Sequence, residues 1–414
     1  MSARRYTAIV ERDESGTITI SPRKALSDDA SGDFRQVVGI AGALAWTDVR
    51  DRRLTVTTRI ERMGVASWWL RRLYGEAVEE AAVALSRSEE PGSRKAVAER
   101  TPLARTFGRL LLGVWMRRWW PAPATAEQTA LSEWLLDAES GTLAWDSEEL
   151  YGSVAPAREL LEPRAFELTK ALYSPVPADA ALRETLSRAA RASLDAIPVD
   201  HPAHERLGSA AQQFAEQASP AERSPAAAVV TWLDSLREPM TGRGRLAFVA
   251  GDHSGGETVA EGAALLDPAS IHPRSVSGSD DAARWSVERF DDGDWLTITV
   301  DLSGTTIDDV VNFFADVHLD TGEALAVGFT RDDDTARGTV LLPPGALPVG
   351  IELNSWEYAT PRRGRPDPES GQARRAALRE FREERERHPA RRGKPWGPFA
   401  AELADDGDGD HTSR

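Results

Sequence analysis

The spacing of apolar residues changes character near Gly242. From about Thr125 to Glu238 they recur every three or four positions, the period of a one-sided helix; beyond Gly242 short runs alternate apolar and polar, the period of a half-buried strand. The chain therefore reads as at least two cores of different class in series. Its 414 residues agree, since roughly 150 residues per domain gives two or three domains.

An apolar content of 41%, with 13 Trp and 11 Phe, is enough to build those cores. No run approaches the roughly 18 apolar residues of a membrane span, and Met1–Glu14 lacks the apolar centre of a signal peptide. The absence of cysteine excludes disulfides, thiol nucleophiles and cysteine-bound zinc. Cytoplasmic residence is the expectation. A net charge of −16 opposes general nucleic-acid binding, because like charge repels a phosphate backbone. Only Lys24, Lys95, Lys170 and Lys394 are lysine among 50 basic residues; with abundant Ala, Gly and Pro this is the mark of a GC-rich bacterial genome.

Four regions are expected, together a multidomain α+β chain. Residues 1–62 form an N-terminal β element, with strands at Tyr6–Arg12, Thr17–Ile20, Gln36–Trp46 and Leu54–Arg62. Gly39 and Gly42 lack the third glycine and the strand-to-helix setting of a dinucleotide loop, so no cofactor is expected. Residues 63–240 form a helical region: Ser67–Ser86, a polar connection Ser86–Arg100, Leu103–Trp120, then Thr125–Ala138, Ala155–Tyr173, Ala178–Ile197, Ala203–Ala218 and Pro225–Arg237. Prolines fall between the later helices, and Pro163 is placed to kink or split one. Residues 241–358 carry seven or eight short strands, among them Arg245–Ala250, Arg284–Phe290, Trp295–Leu302 and Phe313–Leu319, with hairpin turns at Asp292-Gly293 and Asp320-Thr321-Gly322. This count and spacing fit a C-terminal antiparallel β-sandwich of immunoglobulin-like architecture, without its disulfide or tyrosine corner. Residues 359–414 read as a disordered charged tail, within which Ala373–His388 has helix propensity but little apolar surface.

Three segments carry chemistry worth placing. Asp252, His253 and Ser254 lie in a Gly-rich stretch and are residue types used in nucleophilic catalysis, although consecutive residues rarely converge. Asp316, His318 and Asp320 alternate, so one strand face presents carboxylate, imidazole and carboxylate, a possible metal set. Alternation alone also places polar residues on a wet face. In Leu103–Trp120 the residues Phe107, Leu111, Trp115, Trp119 and Trp120 offer an apolar, aromatic surface to a partner or a membrane, with Arg105, Arg109 and Arg117 opposite. The bland alternative is a core helix whose arginines face water or pair with acids elsewhere. His201 and His204 miss the zincin spacing, and Asp406, Asp408 and Asp410 lack the glycine and glutamate of a calcium loop.

No set of polar residues has a matching motif context. The expectation is a non-catalytic adaptor or accessory subunit of a bacterial multiprotein system, binding protein partners through helical and sandwich surfaces. The alternatives are a hydrolase with a site near Asp252–Ser254 and a peripheral membrane protein docking through Leu103–Trp120.

Overall fold

In a computed structural model the described residues are 5–22, 34–123, 130–174, 177, 179–217, 257–271, 275–279, 281–291, 293–303, 313–332, 334–355, 368–387 and 396–403. The chain is mixed α+β: strands at the N-terminal end, helices in the middle and two sheets toward the C-terminal end. It divides into two compact units. The first comprises Met1–Arg117, Leu131–Arg237 and Arg385–Gly407; the second comprises Arg118–Ala130, Glu238–Glu384 and Asp408–Arg414. The expected N-terminal β element and helical region thus share one unit.

In the first unit, strands β1 (Arg5–Arg12), β2 (Ile18–Pro22), β3 (Arg35–Ile40), β4 (Ala43–Asp48) and β5 (Thr57–Ile60) precede helices α1 (Met63–Tyr74) and α2 (Glu76–Ser86). Strand β6 (Gly92–Glu99) follows and completes an antiparallel sheet ordered β3-β4-β5-β2-β1-β6. The run Gln36–Trp46 is therefore two strands, joined by a tight turn at Ala41-Gly42 where a nucleotide loop would need a helix. Ser67–Ser86 is likewise two helices, because Gly75 at φ +91 breaks the ladder in a conformation that side chains with a Cβ rarely adopt. The supposed polar connection contains β6, which pairs with β1 along its whole length, from Arg5↔Glu99 to Arg12↔Gly92.

Alternation directs Ala8, Val10, Ile18, Ile20, Ala96 and Ala98 to the buried face of this sheet. Trp69, Leu70, Leu73, Tyr74 and Val78 of the two helices are buried with them. Trp69 Nε1 donates to the Ala41 carbonyl at 2.9 Å, and the Tyr74 hydroxyl lies 3.1 Å from Thr58 Oγ1. Helix α3 (Pro102–Trp119) buries Phe107, Leu111 and Trp115, and Trp115 stacks on Phe34 at 5.8 Å. An array then follows: α4 (Glu133–Asp146), α5 (Glu148–Tyr151), α6 (Ala155–Leu161), α7 (Ala165–Tyr173), α8 (Ala180–Ala196) and α9 (His204–Gln217). Pro163 sits in the 3-10 turn Glu162–Arg164 that separates α6 from α7. Asp179 caps α8, accepting the Leu182 amide at 2.7 Å. The helix expected at Pro225–Arg237 and the strand expected at Arg245–Ala250 lie outside the described residues.

The second unit holds β7 (Glu257–Ala263), β8 (Leu265–Leu266), β9 (Ala283–Phe290), β10 (Gly293–Asp301), β11 (Phe313–Leu319), β12 (Ala324–Gly328), β13 (Thr330–Asp332), β14 (Thr335–Leu341) and β15 (Pro348–Ser355). One sheet runs β13-β14-β10-β9-β7 and the other β12-β11-β15-β8. All pairings are antiparallel except β15 with β8, where Glu352 faces Leu265 and Leu353 faces Leu266. Both expected hairpins form, β9–β10 and β11–β12. Val287, Leu296, Ile298 and Val300 of the larger sheet share one apolar core with Phe313, Ala315, Val317 and Leu353 of the smaller.

Beyond the sheets the expectation of a disordered tail is corrected over the described residues 368–387 and 396–403. Helix α10 (Pro368–Glu386) buries Leu378 and Phe381, and a short helix α11 (Ala400–Leu403) follows. Helix α10 has few apolar residues, and arginines do much of its anchoring. In the second unit Arg374 pairs with buried Asp267 at 2.6 Å, Arg375 donates to the Ser279 carbonyl at 2.8 Å and Arg382 to the Pro121 carbonyl at 3.0 Å. A guanidinium has five donors in a fixed fork, so it can satisfy carbonyls that nothing apolar could.

Candidate functional site

Residues Trp396–Ala401, in what the sequence presented as tail, are all buried in the first unit. The groove that takes them is built from four places. Val49 and Arg52 come from the loop after β4, Arg109 and Gly113 from α3, Ser132 from the cap of α4 and Glu139 from its middle, and Arg385 from the end of α10. Trp396 Nε1 donates to the Val49 carbonyl at 2.9 Å, and its ring lies beneath Arg385 at 4.9 Å and near Arg52 at 5.6 Å. Phe399 is wholly buried under the Arg109 guanidinium, 3.9 Å from the ring centroid. Gly113 admits that ring: a Cβ there would lie 3.3 Å from Phe399 Cζ and would collide with Ser140 Oγ.

The groove also reads main chain. Arg109 Nη1 donates to the Gly397 carbonyl at 2.8 Å and Nη2 to the Pro398 carbonyl at 3.1 Å. Arg385 donates to the carbonyls of Trp396 at 3.2 Å and Gly397 at 3.1 Å, and grips Glu402 through two bonds. Glu402 in turn accepts the Phe399 amide at 2.6 Å, the reach-back of a capping box at the start of α11. The next amides, Ala400 and Ala401, go to the Glu139 carboxylate, 3.3 Å from Ala401 N. Burial pushes the Glu139 carboxyl above its ordinary value; Arg109 and the two amides work against that, and Glu402 adds to it. The Ala401 carbonyl accepts from Ser132 N at 3.1 Å. The carbonyls of Trp396, Gly397 and Pro398 and the amides of Ala400 and Ala401 are thus each paired with a side chain around the two buried aromatic rings.

Other candidate residues lie differently. Phe107, Leu111 and Trp115 are wholly buried in the first unit, and Trp120 is buried in the second, where Arg382 lies 5.9 Å above its ring. Trp119 is half-buried beside Arg118. Phe107, Leu111, Trp115 and Trp120 are core side chains, and of the five aromatic and apolar residues expected to face a partner only Trp119 is partly exposed. Arg109, expected to face water or pair with an acid, instead donates to the Gly397 and Pro398 carbonyls.

Asp316 and His318 do share a face of β11, but Asp316 accepts from Asn354 Nδ2 at 2.9 Å. Asp320 has turned out of the strand, and its carboxylate holds the Leu347 amide at 3.0 Å. Among the described residues no three His, Asp or Glu side chains converge on a metal position. Asp252, His253 and Ser254 lie outside the described residues.

A cavity beside Pro121, Ile271, Arg375 and Leu378 in the second unit measures about 30 Å³. That is room for water, well below the roughly 300 Å³ at which small-molecule sites begin. In an open depression at Glu11, Arg12, Asp13 and Thr19 the Asp13 carboxylate is committed to the turn after β1, where it accepts from Ser15 and Thr17. Buried Asp137 is taken by Arg164 at 2.8 Å and Arg117 at 3.5 Å. Among the described residues no helix is long and apolar enough to cross a membrane. No family model, curated protein or solved structure matches the chain.

Proposed function

We propose that this protein is a non-catalytic adaptor or accessory subunit that binds protein segments, working in the cytoplasm of a bacterium as part of a larger assembly. The observation that supports this reading is the set of side chains Arg109, Glu139 and Arg385, which holds the chain's own segment Trp396–Ala401 by its carbonyls, its amides and two aromatic side chains. Lack of cysteine agrees with a reducing compartment. The single apolar core shared by the two sheets of the second unit supports a sandwich there. Its parallel β15–β8 pair departs from the immunoglobulin strand order, so the likeness is one of architecture and not of topology.

The test is a peptide-display selection on the immobilised full-length protein, run beside a panel of ester, phosphate and peptide substrates. The adaptor reading expects enriched peptides and no turnover above buffer. Turnover abolished by Ser254→Ala would replace it with the hydrolase reading, and an empty selection would also count against it.

A further inference from the structure

Beyond that reading, we propose that the edge of β6 joins this chain to a second copy of itself, the two β6 strands pairing antiparallel about a two-fold axis at Val97. Strand β6 ends the six-stranded sheet: β1 occupies one of its sides, and no described strand occupies the other. An edge strand leaves a row of backbone N–H and C=O groups open to a further strand. Alternation divides the side chains of β6 between two faces. Ala96 and Ala98 are buried, whereas Ser93, Lys95 and Val97 are exposed, Val97 by 51%. Glu99 follows in the same alternation and lies 3.5 Å from Arg5, with its side chain still 41% exposed. Among the described residues Lys95 makes no ion pair within its own chain.

The sequence of the edge names the partner. Lys95-Ala96-Val97-Ala98-Glu99 is symmetric about Val97 in side-chain size and opposite in charge at its two ends. Residues directly opposite in an antiparallel pair share a face, so a two-fold axis between identical strands passes through a residue. At Val97 that axis sets Lys95 of each copy against Glu99 of the other, valine against valine, and Ala96 against Ala98. An axis at Lys95 opposes two lysines, one at Ala96 sets Lys95 against Val97, and one at Ala98 sets Glu99 against Val97. Only the axis at Val97 matches opposite charges, which stabilise a cross-strand pair where like charges destabilise it. A lone lysine on an edge discourages pairing; a second copy supplies the acid that removes this obstacle. Arg100, next in line to face Arg94, lies past the end of β6 with its guanidinium on the Arg53 carbonyl. A seam this short is small beside a standard interface, so the dimer is expected to be a weak one.

The test is sedimentation equilibrium on the full-length protein, carried to high concentration, for wild type, Lys95→Glu, Glu99→Lys and an equimolar mixture of the two variants. Each variant alone opposes like charges at both ends of the seam and should dimerise about tenfold or more weakly than wild type. In the mixture every altered side chain meets an opposite charge on the other variant, so association should return to within about threefold of wild type. A wild type that stays monomeric at every concentration overturns the proposal, as does a dimer that neither variant weakens. A mixture that associates no better than its components overturns the register at Val97, and a species larger than a dimer overturns the closed two-fold. Should a variant not fold, amide exchange in wild type is compared at low and high concentration. Slower exchange within Lys95–Glu99 at high concentration supports the seam, and unchanged exchange there overturns it.

Discussion

Arg385 and Glu402 form an enclosed ion pair, Nε to Oε2 at 2.8 Å and Nη2 to Oε1 at 2.5 Å, with side chains 1% and 4% exposed. The pair ties the end of α10 to the start of α11 and so closes the turn that delivers Trp396 and Phe399 to their places. Burying two charges is costly, and their attraction only roughly offsets it; removing one partner strands the other.

Arg385→Met is therefore expected to destabilise the first unit by about 3–5 kcal/mol in urea denaturation. Arg385→Met/Glu402→Met, which leaves no stranded charge, should recover at least about 1 kcal/mol of that loss. Additive losses would mean that the pair is not coupled as its geometry requires.

The contact of α3 with α4 and Phe399 is set by one missing methyl. Gly113→Ala should lower stability by about 1–3 kcal/mol through overpacking. Ser140 Oγ, the first atom a Cβ would meet, is buried with no hydrogen-bond partner among the described residues, so Ser140→Ala alone should be close to neutral. In the double variant the cost of Gly113→Ala should shrink. An unchanged cost would move the strain to Phe399.

Glu139 gives a pH dependence of defined sign. Burial raises its carboxyl above the ordinary value. A raised carboxyl contributes its stabilisation in full below the unfolded value, and that contribution is lost as pH rises through the folded value. Glutamine at this position does not titrate. From about pH 4 to pH 7 the stability of Glu139→Gln should thus rise relative to wild type. A difference that is flat or falls over this interval would contradict the burial of the carboxylate.

How much of this was legible in the sequence follows from what hydropathy registers. The switch of period near Gly242 separates helices from strands, and Pro163 and Asp292-Gly293 mark a split helix and a hairpin that both form. Strand β6 was missed because its buried positions, Ala96 and Ala98, are too small to stand out beside Arg94 and Lys95. The break at Gly75 was missed because one glycine inside a periodic run is often tolerated. The groove was hidden for a different reason. Arg109, Arg382 and Arg385 are held by carbonyl acceptors and aromatic rings, and a count of charge places such residues in water. One signal was available: Trp396-Gly-Pro-Phe399 puts two aromatics in an otherwise charged tail, and large rings are rarely left exposed.

The central claim is that Arg109 and its neighbours hold Trp396–Leu403 as a bound peptide. Amide hydrogen exchange at Phe399, Ala400 and Ala401 in the full-length protein tests it directly, with wild type compared to Arg109→Ala. Two carbonyls lose a charged donor in the variant, a loss of about 2–3 kcal/mol, and each 1.4 kcal/mol is about tenfold. The account predicts strong protection in wild type and exchange roughly 100-fold faster in the variant. Wild-type amides that exchange at the rate of an unstructured peptide would contradict it.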